Sequence, residues 1–156
     1  MTTFVSAQMS GPVFQSHERG LLCRAYGTIE IAANPIAADI YQFCQVPAGA
    51  TVTGGWIVGD DLDTNATETL DMDIGWAANE DEAADPDGFG NLGIIAGDAL
   101  GEYKPVAGIL LPLQGVLMAD GPKTFTALTT IEMVCNTTAA TGGTGTLTVL
   151  VDYLSP

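Results

Sequence analysis

The sequence predicts an all-β chain: an antiparallel β-sandwich or jelly roll with long acidic loops and an extended N-terminal arm. Three observations carry that expectation. Leu70, Met72, Ile74 and Trp76 alternate with Asp71, Asp73 and Gly75, a period-two pattern whose apolar residues a helical wheel would scatter around its axis. Leu147, Val149, Val151 and Tyr153 alternate in the same way near the C-terminus. The 19 Gly, 8 Pro and many Thr among 156 residues favour strands and turns over helices.

Residues 1–25 stand apart. They hold the only His, both Arg and three of the four Ser, with little alternation, and read as an arm that is ordered against a partner or a neighbouring subunit. Residues 26–156 read as a single sandwich domain with no internal repeat. Thr28-Ile29-Glu30-Ile31 opens it as a strand, and Asn34-Pro35 marks a turn. Ile40–Val46 is rich in β-formers and stops at Pro47-Ala48-Gly49. Thr51–Val58 is the next strand, with Gly54-Gly55 signalling a bulge or a close backbone approach.

After the Leu70–Trp76 strand, which turns an apolar face to the core and a carboxylate face to water, Ala77–Gly90 reads as a long acidic loop. Its turn is Asp85-Pro86-Asp87-Gly88. Asn91–Gly101 predicts one short helix, since Leu92, Ile95, Ala96 and Ala99 follow helical spacing, though Gly93 and Gly97 each weaken it by about 1 kcal/mol relative to Ala. Val106–Leu113 reads as a strand with Pro112 at an edge, and Thr124–Cys135 as another. Asn136–Gly145 is a Thr/Gly loop, and Thr146–Leu154 is the last strand. There Leu150 and Leu154 oppose Val149, Val151 and Tyr153, so both faces carry apolar residues and the strand reads as central or covered by a neighbouring chain. That predicts a homo-oligomer with Leu150 and Leu154 at its interface.

Charge removes several function classes. With 19 acidic and 4 basic residues the formal charge is -15, which excludes most nucleic-acid binding and argues against docking on an anionic membrane. The longest apolar stretch, Val106–Leu113, is broken by Gly108 and Pro112 and is too short to span a bilayer. No secretory signal is legible at the N-terminus, so Asn65-Ala66-Thr67 and Asn136-Thr137-Thr138 read as chance glycosylation patterns.

Enzymatic chemistry finds little support, and the chain reads as a non-enzyme without a cofactor. Ser6, Ser10, Ser16 and Ser155 all lie near the termini, and His17 lies in the arm, whereas a catalytic triad needs a rigid scaffold. Cys23, Cys44 and Cys135 form no metal-ligand spacing and read as buried small hydrophobes, with an intermolecular bond open to the odd thiol. Oxygen-rich loops around Asp60, Asp61 and Asp63, and around Asp85 and Asp87, are weak Ca²⁺ candidates that miss the EF-hand spacing. A solvated acidic face is the simpler reading of them.

One resemblance bears on function. Ala38-Asp39-Ile40-Tyr41, Val46-Pro47-Ala48-Gly49-Ala50, Gly54-Gly55-Trp56, Asp60-Asp61-Leu62-Asp63, Leu70–Trp76, Asp85–Phe89, Gly145–Val149 and Val151-Asp152-Tyr153 follow one another in an arrangement that resembles small structural proteins of tailed bacteriophages. Those are capsid decoration (cement) or head-associated proteins, and the likeness spans roughly residues 26–154. It implies a non-catalytic β-sandwich, often trimeric, made in the host cytoplasm. Such a protein sits on the outside of the virion head, binds the major capsid protein and stabilises the shell. The arm, with Phe4, Val5, Val13, Phe14, Arg19 and Arg24, is the only region both apolar and basic, and is the expected capsid contact. Two other readings stand beside this one. The first is a carbohydrate- or Ca²⁺-binding sandwich module with Trp56, Trp76 and Tyr103 as stacking candidates, although its alternation assigns Trp76 to the core. The second is a phage neck or tail protein.

Overall fold

The computed structural model describes residues 1–13, 19–65, 67–94, 108–142 and 144–156. Among the described residues ten strands are formed: β1 (Thr3–Val5), β2 (Leu22–Ile31), β3 (Ile40–Val46), β4 (Thr51–Gly59), β5 (Asp71–Trp76), β6 (Asp85–Ile94), β7 (Ile109–Pro112), β8 (Lys123–Thr124), β9 (Thr129–Thr137) and β10 (Gly145–Leu154). A 3₁₀ turn at Ala7–Ser10 and one helical turn, α1 (Val116–Ala119), interrupt them. The strands make two sheets, β1-β3-β9-β5-β6 and β2-β10-β4-β7, with β8 also pairing with β4. Every pairing is antiparallel except β1 with β3. The expected all-β sandwich is therefore the observed fold.

Alternation places the core between the layers. Tyr41, Phe43, Met72, Ile74, Ile131 and Met133 of the first sheet face Ile29, Ile57, Leu147, Val149, Val151 and Tyr153 of the second, all of them buried. At one end Trp76, Phe89 and Phe125 meet edge to face, with centroids 5.1 to 6.1 Å apart, the geometry that aromatic quadrupoles favour. Lys123 Nζ lies 5.1 Å from the Trp76 ring centroid and pairs with Glu82 at 2.9 Å. The layers approach closely at Gly27 of β2, where a Cβ would stand 1.9 Å from the Phe43 carbonyl oxygen of β3.

Several expectations need correction. The long acidic loop ends early: Asp85–Gly90 belongs to β6, not to a turn. The residues that look like turn punctuation have strand reasons. The register with β5 passes from Asp85 to Gly90 through a bulge, so Pro86 stands where no ladder pair is formed. Gly88 lies under Trp76, where a Cβ would be 2.2 Å from the ring. The short helix expected over Asn91–Gly101 is not formed at its start, since Asn91–Ile94 continues β6; residues 95–107, including Tyr103 and the first part of the Val106–Leu113 strand, lie outside the described residues. The single strand expected over Thr124–Cys135 is divided into β8 and β9. Asp73 does not face water: it is 7% exposed, and its carboxylate accepts a 2.7 Å bond from Asn136 Nδ2.

Candidate interaction surfaces

The arm begins as a strand of its own chain's sheet. Thr3, Phe4 and Val5 register against Ile40, Tyr41 and Gln42. The Ile40 amide donates to the Thr2 carbonyl at 2.8 Å and the Ser6 amide to the Gln42 carbonyl at 2.9 Å. The Ser6 hydroxyl donates to the Phe43 carbonyl. Phe4 stacks flat on buried Tyr41, while Val5 stays 55% exposed. Gln8 Oε1 accepts from the Thr28 amide at 3.3 Å, which caps part of the open edge of β2. Beyond it, Pro12, Val13, Arg24, Tyr26 and Gln45 line a cleft of about 250 Å³.

Of the expected arm contacts, Phe4 is thus stacked on Tyr41, Val5 is exposed, Val13 lines the cleft, and Arg19 is exposed. Arg24 lies on β2 and makes a bidentate pair with Asp152, at 2.6 and 2.9 Å; that hydrogen bond, aided by the carboxylate charge, raises the guanidinium pKa further. Phe14 and His17 lie outside the described residues. Strand β2 starts at Leu22, so the last residues of the sequence-defined arm already belong to the second sheet.

The outer face of that second sheet carries an apolar row. Tyr26, Leu150, Trp56 and Pro112 stand in register across β2, β10, β4 and β7. Tyr26 is 51% exposed and Trp56 42%, and Leu150 is half-buried between them. The next row holds Thr28, Thr148, Val58 and Leu110, with the two threonine hydroxyls 2.9 Å apart. Leu154 continues the face beside exposed Leu22.

Sequence reasoning found Leu150 and Leu154 but missed Tyr26 and Val58 and gave Trp56 a different role. Parity would put Val52, Trp56 and Val58 on one side of β4. A register shift opposite Asp152/Tyr153 instead sends Val52 and Ile57 into the core and leaves Trp56 and Val58 outside. Gly54-Gly55 was the available signal, and Gly55 also lets the chain pass close to Leu150: a Cβ there would be 2.1 Å from its carbonyl oxygen.

The outer face of the first sheet has the opposite chemistry. Half-buried Asp71 and nearly buried Asp73 lie on β5 and nearly buried Glu132 on β9, while on β6 Asp87 is exposed and Asp85 registers with Trp76. Burial raises the pKa of Asp73, and the charges of Asp71 and Asp87 add to it. Burial also raises Asp85, which shares a hydrogen bond with Asp87.

Asp63, a weak Ca²⁺ candidate, has another use. Its fully buried carboxylate accepts from the amides of Thr69, Leu70 and Ala140 on one oxygen and of Asn65 and Thr141 on the other, at 2.8 to 3.3 Å. Those donors take up its lone pairs and tie the Asp60–Thr69 loop to the β9–β10 loop. Asp60 and Asp61 likewise accept from the amides of Thr146 and Asp63. Among the described residues, no three His, Cys, Asp or Glu side chains gather around a metal-sized point. Cys44 and Cys135 are buried thiols, pushed by burial up to about 12 and about 11, and Cys23 is half-buried; all three are free.

No protein-family model and no curated protein matches the sequence, but solved phage capsid structures match the fold. In the capsid asymmetric unit of cyanophage Pam1, one chain is 26% identical, with a TM-score of 0.69 over 97% of this chain and 96% of that one. A chain in the capsid of Ralstonia phage GP4 is 20% identical, with a TM-score of 0.75 over 99% of both. A third, from the acid-stable capsid of Helicobacter pylori bacteriophage KHP30, is 16% identical, with a TM-score of 0.59 over 92% of this chain and 94% of that one. These neighbours agree with the resemblance to phage capsid-associated proteins read from the residues.

Proposed function

We propose that this chain is a non-enzymatic virion structural protein that decorates the outer surface of a phage capsid and stabilises the shell. The observation that carries this reading is the near full-length likeness to a capsid chain at 26% identity. That likeness supports a virion structural protein; the more specific role rests on the chemistry of the surfaces. A sandwich with one acidic and one apolar outer face is polarised. The net charge of -15 suits a solvent-facing coat and repels polyanions and other virions. The apolar row around Leu150 and Trp56 suits a protein partner.

Two contacts divide the work. The row Tyr26, Leu150, Trp56 and Pro112, extended by Leu154, joins copies of the chain into a homo-oligomer, most simply a trimer. It is nearly free of net charge, because Asp152 is neutralised by Arg24, so copies that each carry -15 can approach there. The arm faces the major capsid protein with Val5, Val13 and Arg19. Since Thr3–Val5 is already paired with β3, little chain entropy is lost on docking.

Copy number per virion tests the reading. Quantitative mass spectrometry of purified particles should return hundreds of copies, and the protein should rebind heads stripped of it. A dozen or fewer copies would move it to the neck or tail. Glycan binding that a chelator abolishes would favour the sandwich-module alternative.

A further inference from the structure

We propose that the carboxylates of Asp71 and Asp73 bind a hard divalent cation of the calcium class on the outer face of the first sheet, with water and neutral oxygens completing its shell. The two residues stand two apart on β5, so their side chains leave the sheet on the same side. Asp73 is 7% exposed, yet its Oδ1 has no hydrogen-bond partner; Asp71 is half-buried as a residue, but its Oδ1 atom is likewise out of solvent and unpartnered. Buried acceptors are ordinarily satisfied, and two vacant carboxylate oxygens on adjacent same-face positions require an explanation.

The surroundings supply one. Asn136 Nδ2 holds Asp73 Oδ2 at 2.7 Å, which fixes the carboxylate and leaves Oδ1 free. Asp71 and Asp87 act on Asp73 as like charges, and the Leu92 amide is the other donor that favours its ionised form. A proton would satisfy one oxygen; a divalent cation satisfies two carboxylates at neutral pH and cancels their repulsion. Oxygen-only donors and an incomplete protein shell fit calcium, which tolerates irregular coordination, better than magnesium, which demands a near-octahedral one. With two carboxylates the affinity belongs to the weak, millimolar class of extracellular modules. This inference concerns the chain itself and stands whether or not the protein decorates capsids.

Calcium and manganese are the probes. Calcium added at neutral pH should raise the melting temperature of the full chain in a saturable way. Manganese, a paramagnetic substitute, should broaden the Asn136 side-chain NMR signals well before those of Asn65, which lies in the other acidic loop. Asp73→Asn should abolish both effects and Asp71→Asn should weaken them at least tenfold. Equal broadening at Asn65 and Asn136 would overturn the site in favour of diffuse counter-ion binding, whether or not either variant folds. A calcium-induced rise that survives in both variants would also overturn it. So would stabilisation by acid alone, with no response to calcium.

Discussion

The Phe4 ring lies on the Tyr41 ring at 4.8 Å between centroids and 9° between planes, which makes the first residues of the chain part of its own sandwich. The stack covers Tyr41, 1% exposed, at the one parallel pairing among the described residues. Burial raises the Tyr41 hydroxyl pKa well above its usual value, with the nearby Asp39 charge adding to it. Phe4→Ala should therefore cost about 1 to 2 kcal/mol in urea unfolding. It should also release the Thr3–Val5 amides to fast hydrogen exchange while the β9 amides stay protected.

Much of this architecture is legible in the residues because its signals are local. Leu70–Trp76 and Thr146–Leu154 alternate cleanly, and both are strands next to other strands on each side, where burial of one face enforces parity. What escaped was set by partners distant in sequence. Asp85-Pro86-Asp87-Gly88 has turn composition, but the Trp76 ring and the open edge of β6 make it a strand. The exposed Trp56 depends on a register shift against β10. The amides that hold Asp63 come from Asn65 through Thr141, a convergence no spacing rule encodes. The arm's apolar and basic character was visible; its docking on β3 was not, because three residues of parallel pairing leave no periodic trace.

Asp63 predicts an acid-sensitive loop clamp. Burial works against its ionisation, but the amides of Thr69, Ala140, Thr141 and Leu70 outweigh that and hold the carboxyl at about 2. An unfolded Asp titrates near ~3.9. The folded-state pKa is depressed, so the stabilisation is fully present above about pH 4 and is lost as pH falls toward about 2. Asp63→Asn should cost on the order of 3 kcal/mol at neutral pH, since it turns an amide NH₂ toward backbone donors. The gap between the two proteins in urea unfolding should narrow at about pH 3. A gap that stays constant with pH would mean that the clamp does not depend on charge.

Asp73 has the opposite sign. Its pKa is raised by burial, with Asp71 and Asp87 adding to the shift, so its ionised form weighs against folding and protonation relieves it. In chelator-treated protein, Asp73→Asn should raise the midpoint of neutral-pH thermal unfolding, and the advantage should shrink as pH falls into the range where the wild-type carboxyl protonates.

Gly27 lets β2 and β3 of the two layers approach closely. Its missing Cβ leaves room for the Phe43 carbonyl, a backbone atom that cannot swing aside. Gly27→Ala should destabilise by about 3 kcal/mol through overpacking, whereas Gly54→Ala, with nothing within 4 Å of the added carbon, should change stability by under about 1 kcal/mol. Paired denaturation curves check the contrast.

The apolar row predicts how copies meet. Trp56 is 42% exposed, so Trp56→Asp leaves the core intact and places a charge at the centre of the proposed interface. Sedimentation at micromolar concentration should shift from oligomer to monomer with an unchanged far-ultraviolet circular dichroism spectrum. An unchanged oligomer would remove this face from the interface.

The arm's role separates from the sandwich's by point substitution better than by deletion. Removing residues 1–13 would strip β1 from β3 and expose a new sheet edge that invites aggregation, so lost binding would be ambiguous. Val5 offers a cleaner probe: it is 55% exposed, and Val5→Asp should change folding stability by under about 1 kcal/mol. If the arm seats against the shell, a buried valine there contributes roughly 1.5 kcal/mol or more, and placing an unpaired carboxylate in the contact adds a desolvation cost. Capsid affinity should then fall at least tenfold, a loss of about 1.4 kcal/mol. Arg19→Ala, removing a single exposed charge, should reduce binding only slightly, because rim ion pairs contribute little. Full decoration by Val5→Asp would make the sandwich face, not the arm, the anchor on the shell.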